Sequence, residues 1–296
     1  MNMLQWCGEA PAKINLSLDV LERLPNGYHR LAMLMQTVGL TDTITLTLRP
    51  AGISLRCVSE GSDSMGSTEI PSDARNLAWK AAAAYFSQVP GLGVDIHLVK
   101  RIPAAAGLAG GSADAAAVLR GLNALHGDPL SSDELVRMGV KIGADVPYCL
   151  FGGTCLAEGI GEELTPLPSF SGHWIVLVKP PFPVSTPWVF GQLKLHDLGE
   201  RPDTARLIEA VRSGDTAGVA AGMRNVLERV TEPVHPEIAA LRKQLLALGA
   251  LGSRMSGSGP TVFGLFADRE TAVAAHTAIL REWPSSWVVR TVNGTD

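Results

Sequence analysis

The 296-residue sequence predicts an α+β fold in two parts, and three observations carry that prediction. Residues 13–57 hold three segments of strand character. A strand, a small-residue loop and a helix then follow one another across residues 94–120. Beyond a turn-rich stretch from Gly152 to Ser171, strands alternate with helices and a hairpin, which fits an open sheet with helices on one face. The turn-rich stretch is the expected boundary, giving an N-terminal domain over residues 1–160 and a C-terminal domain over 161–296. There is no internal repeat.

Composition agrees. Hydrophobic residues make up 46% of the chain and charged residues 18%, a globular balance with enough chain for a sizeable core. A net charge of −4 gives no case for a nucleic-acid surface. Trp174-Ile-Val-Leu-Val178 is strand-sized, and no apolar run reaches the ~20 residues of a membrane span. Met1 to Pro11 lacks the basic and apolar regions of a signal peptide. Cys7, Cys57, Cys149 and Cys155 form no Cys-x-x-Cys pair, so neither a zinc site nor a disulfide framework is expected, and a cytoplasmic setting is.

The elements follow in order. Lys13-Ile-Asn-Leu-Ser-Leu-Asp-Val20 alternates strictly, with Lys13, Asn15, Ser17 and Asp19 on one face and four apolar residues on the other. That polar face reads either as solvated or, given the fixed entry at Pro11-Ala12, as a site wall. Pro25-Asn26-Gly27 is a turn that presents Tyr28 and His29. The two rings suit a flat ligand, by stacking and by hydrogen bonds to its edge; a hairpin connection with a half-buried Tyr fits equally. Thr43–Leu48 and Ile53–Cys57 read as strands, Gly61–Ser72 as a loop, 74–86 as a helix and Val94–Val99 as a strand.

Next comes Pro103-Ala104-Ala105-Ala106-Gly107-Leu108-Ala109-Gly110-Gly111-Ser112, running into a helix at Ala113. Gly107, Gly110 and Gly111 let backbone N–H groups approach an anion, and the helix adds free donors and the positive end of its dipole. Ser112 stands where an N-cap belongs. With no Lys beside Gly110-Gly111 this is not a P-loop, and its spacing is not that of a dinucleotide fold. Close helix packing is the other reading of so many small residues. Ser131 and Glu134 form a capping box. Asp145, between small and apolar neighbours at a helix-to-strand transition, either closes a turn or serves as a carboxylate paired with a lysine. Strands are expected at Trp174–Lys179 and Trp287–Val292. Helices are expected over 203–212, 217–229, 236–248 and 272–281. Ser185 to Phe190 offers hydroxyls and aromatics, and a second Gly/Ser loop, Ser256 to Pro260, links strand-like flanks.

Three segments together, Pro11-Ala-Lys-Ile-Asn-Leu16, Pro103 to Ala116 and Ser256-Gly-Ser-Gly-Pro260, resemble the three motifs of the GHMP kinase superfamily. With Asn26-Gly-Tyr-His29 and Gly143-Ala-Asp-Val-Pro147 the likeness narrows to the branch that phosphorylates a cytidyl diphosphate-linked methylerythritol, and it covers about Ala10 to Phe266. The resemblance implies a two-domain GHMP kinase fold, with a mixed N-terminal α/β domain and an open antiparallel C-terminal sheet. It implies transfer from ATP to the C2 hydroxyl of the methylerythritol, on the route to isoprenoid precursors. Asp145 would be the base and Lys13 its partner. Asn15 would contact substrate. Tyr28 and His29 would hold the cytosine, with Phe190 across from Tyr28 and Thr186 nearby. Residues 103–112 would wrap the ATP phosphates, Asn76 and Lys100 would contact the adenosine part, and Mg²⁺ would bridge phosphates with help from Ser112. The expected partner is this small molecule, not nucleic acid or membrane, and the chain is expected to be a monomer or weak homodimer. Family members often carry Gly where this chain has Ala105 and Ala109, and a methyl group there restricts positive φ.

Other readings are another GHMP small-molecule kinase, for mevalonate, homoserine or a sugar, and a nucleotide sensor without catalysis. A stacking Tyr28 argues against the first, and the presence of both Lys13 and Asp145 against the second.

Overall fold

A computed structural model describes residues 4–60 and 70–294 of the chain. Most of the expected Gly61–Ser72 loop lies outside the described residues. The chain begins with two long paired strands, β1 (Gln5–Arg23) and β2 (His29–Arg49), in antiparallel register from Gln5↔Thr47 to Arg23↔His29. The register slips at Pro11/Ala12, where proline has no N–H for the ladder, and again at Asn15/Ser17. Residues 12–20 are all buried, so the polar face of β1 is a wall inside the protein and not a solvated surface. β2 is far longer than the strand expected at Thr43–Leu48. Its first half, Leu31-Ala-Met-Leu-Met35, is buried on both faces and therefore shows no alternation.

β3 (Ile53–Ser59), α1 (Leu77–Gln88) and β4 (Gly93–Lys100) follow. α1 starts three residues later than expected because the Asn76 side chain caps it, accepting from Ala78 N–H at 2.9 Å. Then come α2 (Gly110–Leu125), α3 (Ser132–Ile142), which has the expected capping box, and α4 (Val146–Phe151). The hairpin β5 (Thr154–Gly159) and β6 (Glu163–Pro166) occupies the stretch read as a boundary. β5 pairs with β2 over residues 31–36, so this hairpin extends the first sheet.

β7 (Trp174–Val178), α5 (Thr186–Gln192), α6 (Thr204–Ser213) and α7 (Thr216–Gly222) come next. The helix expected over 217–229 breaks after α7 into β8 (Arg224–Asn225) and α8 (Glu228–Thr231). The break has a local cause. The Asn225 amide donates to the Met255 and Gly257 carbonyls at 2.7 and 2.8 Å, and its oxygen accepts from Leu227 N–H at 2.9 Å. That side chain holds the backbone extended beside β1. α9 (Pro236–Ala247), β9 (Gly252–Met255), β10 (Val262–Phe266), α10 (Arg269–Ile279) and β11 (Ser286–Arg290) complete the fold.

The first sheet runs β3-β4-β2-β1-β8, with β5 and β6 branching from β2. The second, β11-β7-β10-β9, is antiparallel throughout. One core lies between the first sheet and α1 and α2, where alanines such as Ala78, Ala82, Ala113 and Ala117 let the helices come close. At Gly121 of α2, any side chain would run into the Trp6 ring. The second core joins the two sheets, with Ile14, Leu16 and Leu34 against Ile175, Leu177 and Phe263, and α6 and α7 share it. α9 and α10 pack on the other face of the second sheet through Ile238, Leu241, Ala272 and Ile279. The loops that matter gather where the two sheets meet.

Candidate active site

Lys13 is the first charged residue of the buried β1 run, only 5% exposed. Its ammonium donates to Asn15 Oδ1 at 2.8 Å and lies 3.8 Å from Asp145 Oδ2. Asn15 in turn reaches Met33 Sδ at 3.5 Å. Asp145 stands in the turn that leads into α4, at its N-cap position, but its side chain makes no capping bond. Its carboxylate, 31% exposed, faces Lys13 at the wall of a cavity of about 620 Å³. One edge of this cleft thus carries a buried ammonium and an accessible carboxylate, an arrangement suited to taking a proton from a bound hydroxyl.

The small-residue loop also lines this cavity. Gly107 has φ +76°, and a Cβ there would run into the Ser256 carbonyl. Ala105 and Ala109 also adopt positive φ, 49° and 56°, so this loop enters the left-handed region with alanine. Ser112 is not an N-cap: α2 begins at Gly110, Ala109 holds the cap position, and Ser112 sits in the first turn. The left-handed Ala109 backbone turns the chain into the helix without a capping side chain. The free N–H groups of that first turn border the cleft. The loop is held from outside. Lys13 N–H donates to Leu108 O at 3.1 Å, Ser256 Oγ to Gly107 O at 2.9 Å, and Thr261 N–H to Ala106 O at 3.3 Å.

A second cavity, of about 900 Å³, adjoins the first and shares Leu31, Ala144, Ile160, Thr186 and Phe190 with it. Tyr28, 59% exposed, and His29 line it. Phe190 stacks on His29 with centroids 5.3 Å apart and planes at 28°, and Tyr28 lines the same cavity. The pairing of Arg23 with His29 anchors the imidazole at the end of the hairpin, while Tyr28 belongs to the exposed turn. Burial, with help from the Arg23 charge, holds His29 below the usual histidine range. A neutral imidazole offers one donor and one acceptor. Thr186 Oγ1 hydrogen-bonds Ser258 Oγ at 2.7 Å, tying α5 to the second Gly/Ser loop.

Asn76 and Lys100 line the first cavity, but both side chains already have protein partners. Asn76 caps α1 and donates to Pro71 O at 2.9 Å. The Lys100 ammonium lies between Asp42 and Asp114. Burial opposes its charge, but the two carboxylates outweigh it and hold Lys100 above its usual range. Burial pushes the Asp114 carboxyl up, with Lys100 opposing and Asp42 adding to it. Asp42, Asp114 and Asn225 were not singled out from sequence. The one visible signal was Asp114, an acid among the alanines of α2. No group of three His, Cys, Asp or Glu residues suited to a metal occurs among the described residues.

Comparison with known proteins agrees with this layout. Residues 76–153 match the GHMP kinases N terminal domain and residues 207–285 the GHMP kinases C terminal family. The 4-diphosphocytidyl-2-C-methyl-D-erythritol kinase of Acetivibrio thermocellus is 45% identical over 285 residues, 96% of this chain and 98% of that one. The kinase of the same name from Alkaliphilus oremlandii is 47% identical over 288 residues, covering 96% and 95%. A crystal structure of 4-(cytidine 5'-diphospho)-2C-methyl-D-erythritol kinase superposes with a TM-score of 0.78 at 35% identity, over 98% of this chain and all of the other. A homoserine kinase from Cytophaga hutchinsonii, at 22% identity and a TM-score of 0.75 over 98% and 95% of the two chains, shares the fold. The chain belongs to the 4-diphosphocytidyl-2-C-methyl-D-erythritol kinase family of GHMP kinases.

Proposed function

We propose that the chain transfers the γ-phosphoryl group of ATP to the C2 hydroxyl of 4-diphosphocytidyl-2-C-methyl-D-erythritol, giving the 2-phosphate and ADP. The observation that carries this reading is the Lys13–Asp145 pair, set between a braced anion-binding loop and an aromatic pocket. Phosphoryl transfer needs positioning and charge neutralisation more than covalent help. Asp145 accepts the proton of the tertiary hydroxyl as its oxygen bonds to the γ-phosphorus. The bond from that phosphorus to the β–γ bridging oxygen breaks, and ADP leaves with the electron pair. Lys13, 3.8 Å from the Asp145 carboxylate, bears on the developing negative charge. Asn15 holds the Lys13 ammonium and contacts the substrate.

Residues 103–112 cradle the ATP phosphates, and Asn76 and Lys100 border the adenosine part. Tyr28, His29 and Phe190 enclose the cytosine with Thr186 beside them. Mg²⁺ fits a site where phosphates and water supply most ligands and Ser112 adds a hydroxyl, because Mg²⁺ keeps much of its hydration and is held largely through substrate phosphates. Bound there, it would neutralise phosphate charge. Four free cysteines support a cytoplasmic setting, and no helix among the described residues is long and apolar enough to cross a membrane. The test is ATP consumption by purified protein. Turnover should require the cytidyl-linked substrate, and turnover with mevalonate or homoserine in its place would overturn the substrate assignment.

A further inference from the structure

We infer that Asp42, Lys100 and Asp114 form one buried clamp that fixes both ends of the phosphate loop, making Lys100 a positioning residue that acts on the nucleotide through that loop. The inference rests on reading residues 103–112 as the ATP-phosphate cradle.

The entry to the loop hangs on Asp42. Its Oδ1 accepts from the N–H groups of Arg101 at 2.5 Å and Ile102 at 2.8 Å, the two residues immediately before Pro103. Its Oδ2 binds the Lys100 ammonium. The same ammonium donates to Asp114 Oδ2 at 2.7 Å, in the second turn of α2, just past the end of the loop. Between them lies Gly110, where a Cβ would press on Ile102 and stand 3.3 Å from Lys100 Nζ. The last loop residues thus rest directly on the clamp. Asp42, Lys100 and Asp114 are 0%, 6% and 2% exposed.

Three charges in such a place are a poor device for stability. Apolar residues of similar volume often serve as well or better, because the desolvation of buried ions offsets their attraction. What the charges supply is direction: one ammonium with two fixed acceptors ties the end of β4 and strand β2 to α2. The two halves are unequal. Asp42 uses both oxygens, whereas Asp114 Oδ1 is buried without a partner. Asp42 is therefore the more fully bonded of the two acceptors.

The test compares unaltered protein with Asp114→Ala, Asp114→Asn and Asp42→Asn. It uses steady-state kinetics for both substrates and hydrogen exchange of the ligand-free chain. Asp114→Ala should raise KM for ATP about tenfold while KM for the alcohol substrate stays within about twofold. It should also speed exchange of the amides at 103–112 and leave those of α10, residues 269–279, unchanged. Asp114→Asn keeps an acceptor for Lys100 and should recover most of the lost affinity. Asp42→Asn should exceed Asp114→Ala in its effect on KM for ATP; if that variant does not fold, the Asp114 pair decides alone. Wild-type KM for ATP in Asp114→Ala, or faster exchange throughout the chain with both KM values moved alike, overturns the clamp. Failure of the unaltered chain to bind ATP overturns the cradle reading instead.

Discussion

The two Gly/Ser-rich loops of this chain look alike in sequence and behave differently in structure. Residues 103–112 alternate between buried and accessible positions, and Ala105 and Gly111 are open to solvent. Residues 256–260 are buried throughout. The first loop faces the cleft. The second touches the first at Gly107, and α5 at Thr186 through the Ser258 hydroxyl. Small residues serve the first loop by letting backbone N–H groups approach an anion. They serve the second by letting two loops and β8 meet without intervening side chains. Composition alone does not separate a cradle from a brace; burial and the direction of the hydrogen bonds do.

The largest expected effect that bears on this contrast is at the point of contact. Gly107→Ala adds a methyl group against the Ser256 carbonyl at a positive φ, so it should cost about 3 kcal/mol of loop stability and raise KM for ATP about 100-fold. An ordinary KM for ATP would mean the brace gives way freely. Next is Asn225→Ala, which leaves two carbonyls and the Leu227 N–H without their partner. A loss of about 2 kcal/mol in chemical denaturation is expected. A loss under about 0.5 kcal/mol, within the range of ordinary surface substitutions, would remove Asn225 from the brace.

Ala109→Gly tests the cradle alone and in the other direction. It relieves a left-handed alanine, so Tm should rise with a gain of up to about 1 kcal/mol, and a fall would show that the methyl group is doing something the φ angle does not reveal. The smallest effect concerns His29. Its pKa is lowered in the folded protein, so the stability it contributes is present above the unfolded value near 6.5 and declines as pH falls below it. Stability should therefore drop slightly more between pH 7 and about pH 5 for the natural chain than for His29→Gln, as read by denaturation at each pH.

Much of the site was legible because its residues carry unusual chemistry in ordinary surroundings. Lys13 and Asn15 stood out on an alternating strand, and Asp145 among small neighbours; the fold brings Lys13 and Asp145 to 3.8 Å. What escaped has physical reasons. The first half of β2 is apolar on both faces and shows no period. The β5–β6 hairpin is so rich in turn residues that its short strands carry no readable period. Asn225 sits in a stretch with helical composition, and only its bonds to a loop some thirty residues away make it a strand. Lys100 and Asp42 are 58 residues apart and meet only because β2 and β4 pair.

The most direct test of the central claim is Asp145→Asn, followed by both turnover and ATP binding. The account predicts a fall in kcat of about 10²–10⁴-fold, the usual range for loss of a general base, with ATP affinity and Tm little changed. A kcat within threefold or so of the unaltered protein, well short of that range, would contradict the assignment of Asp145 as the group that takes the proton.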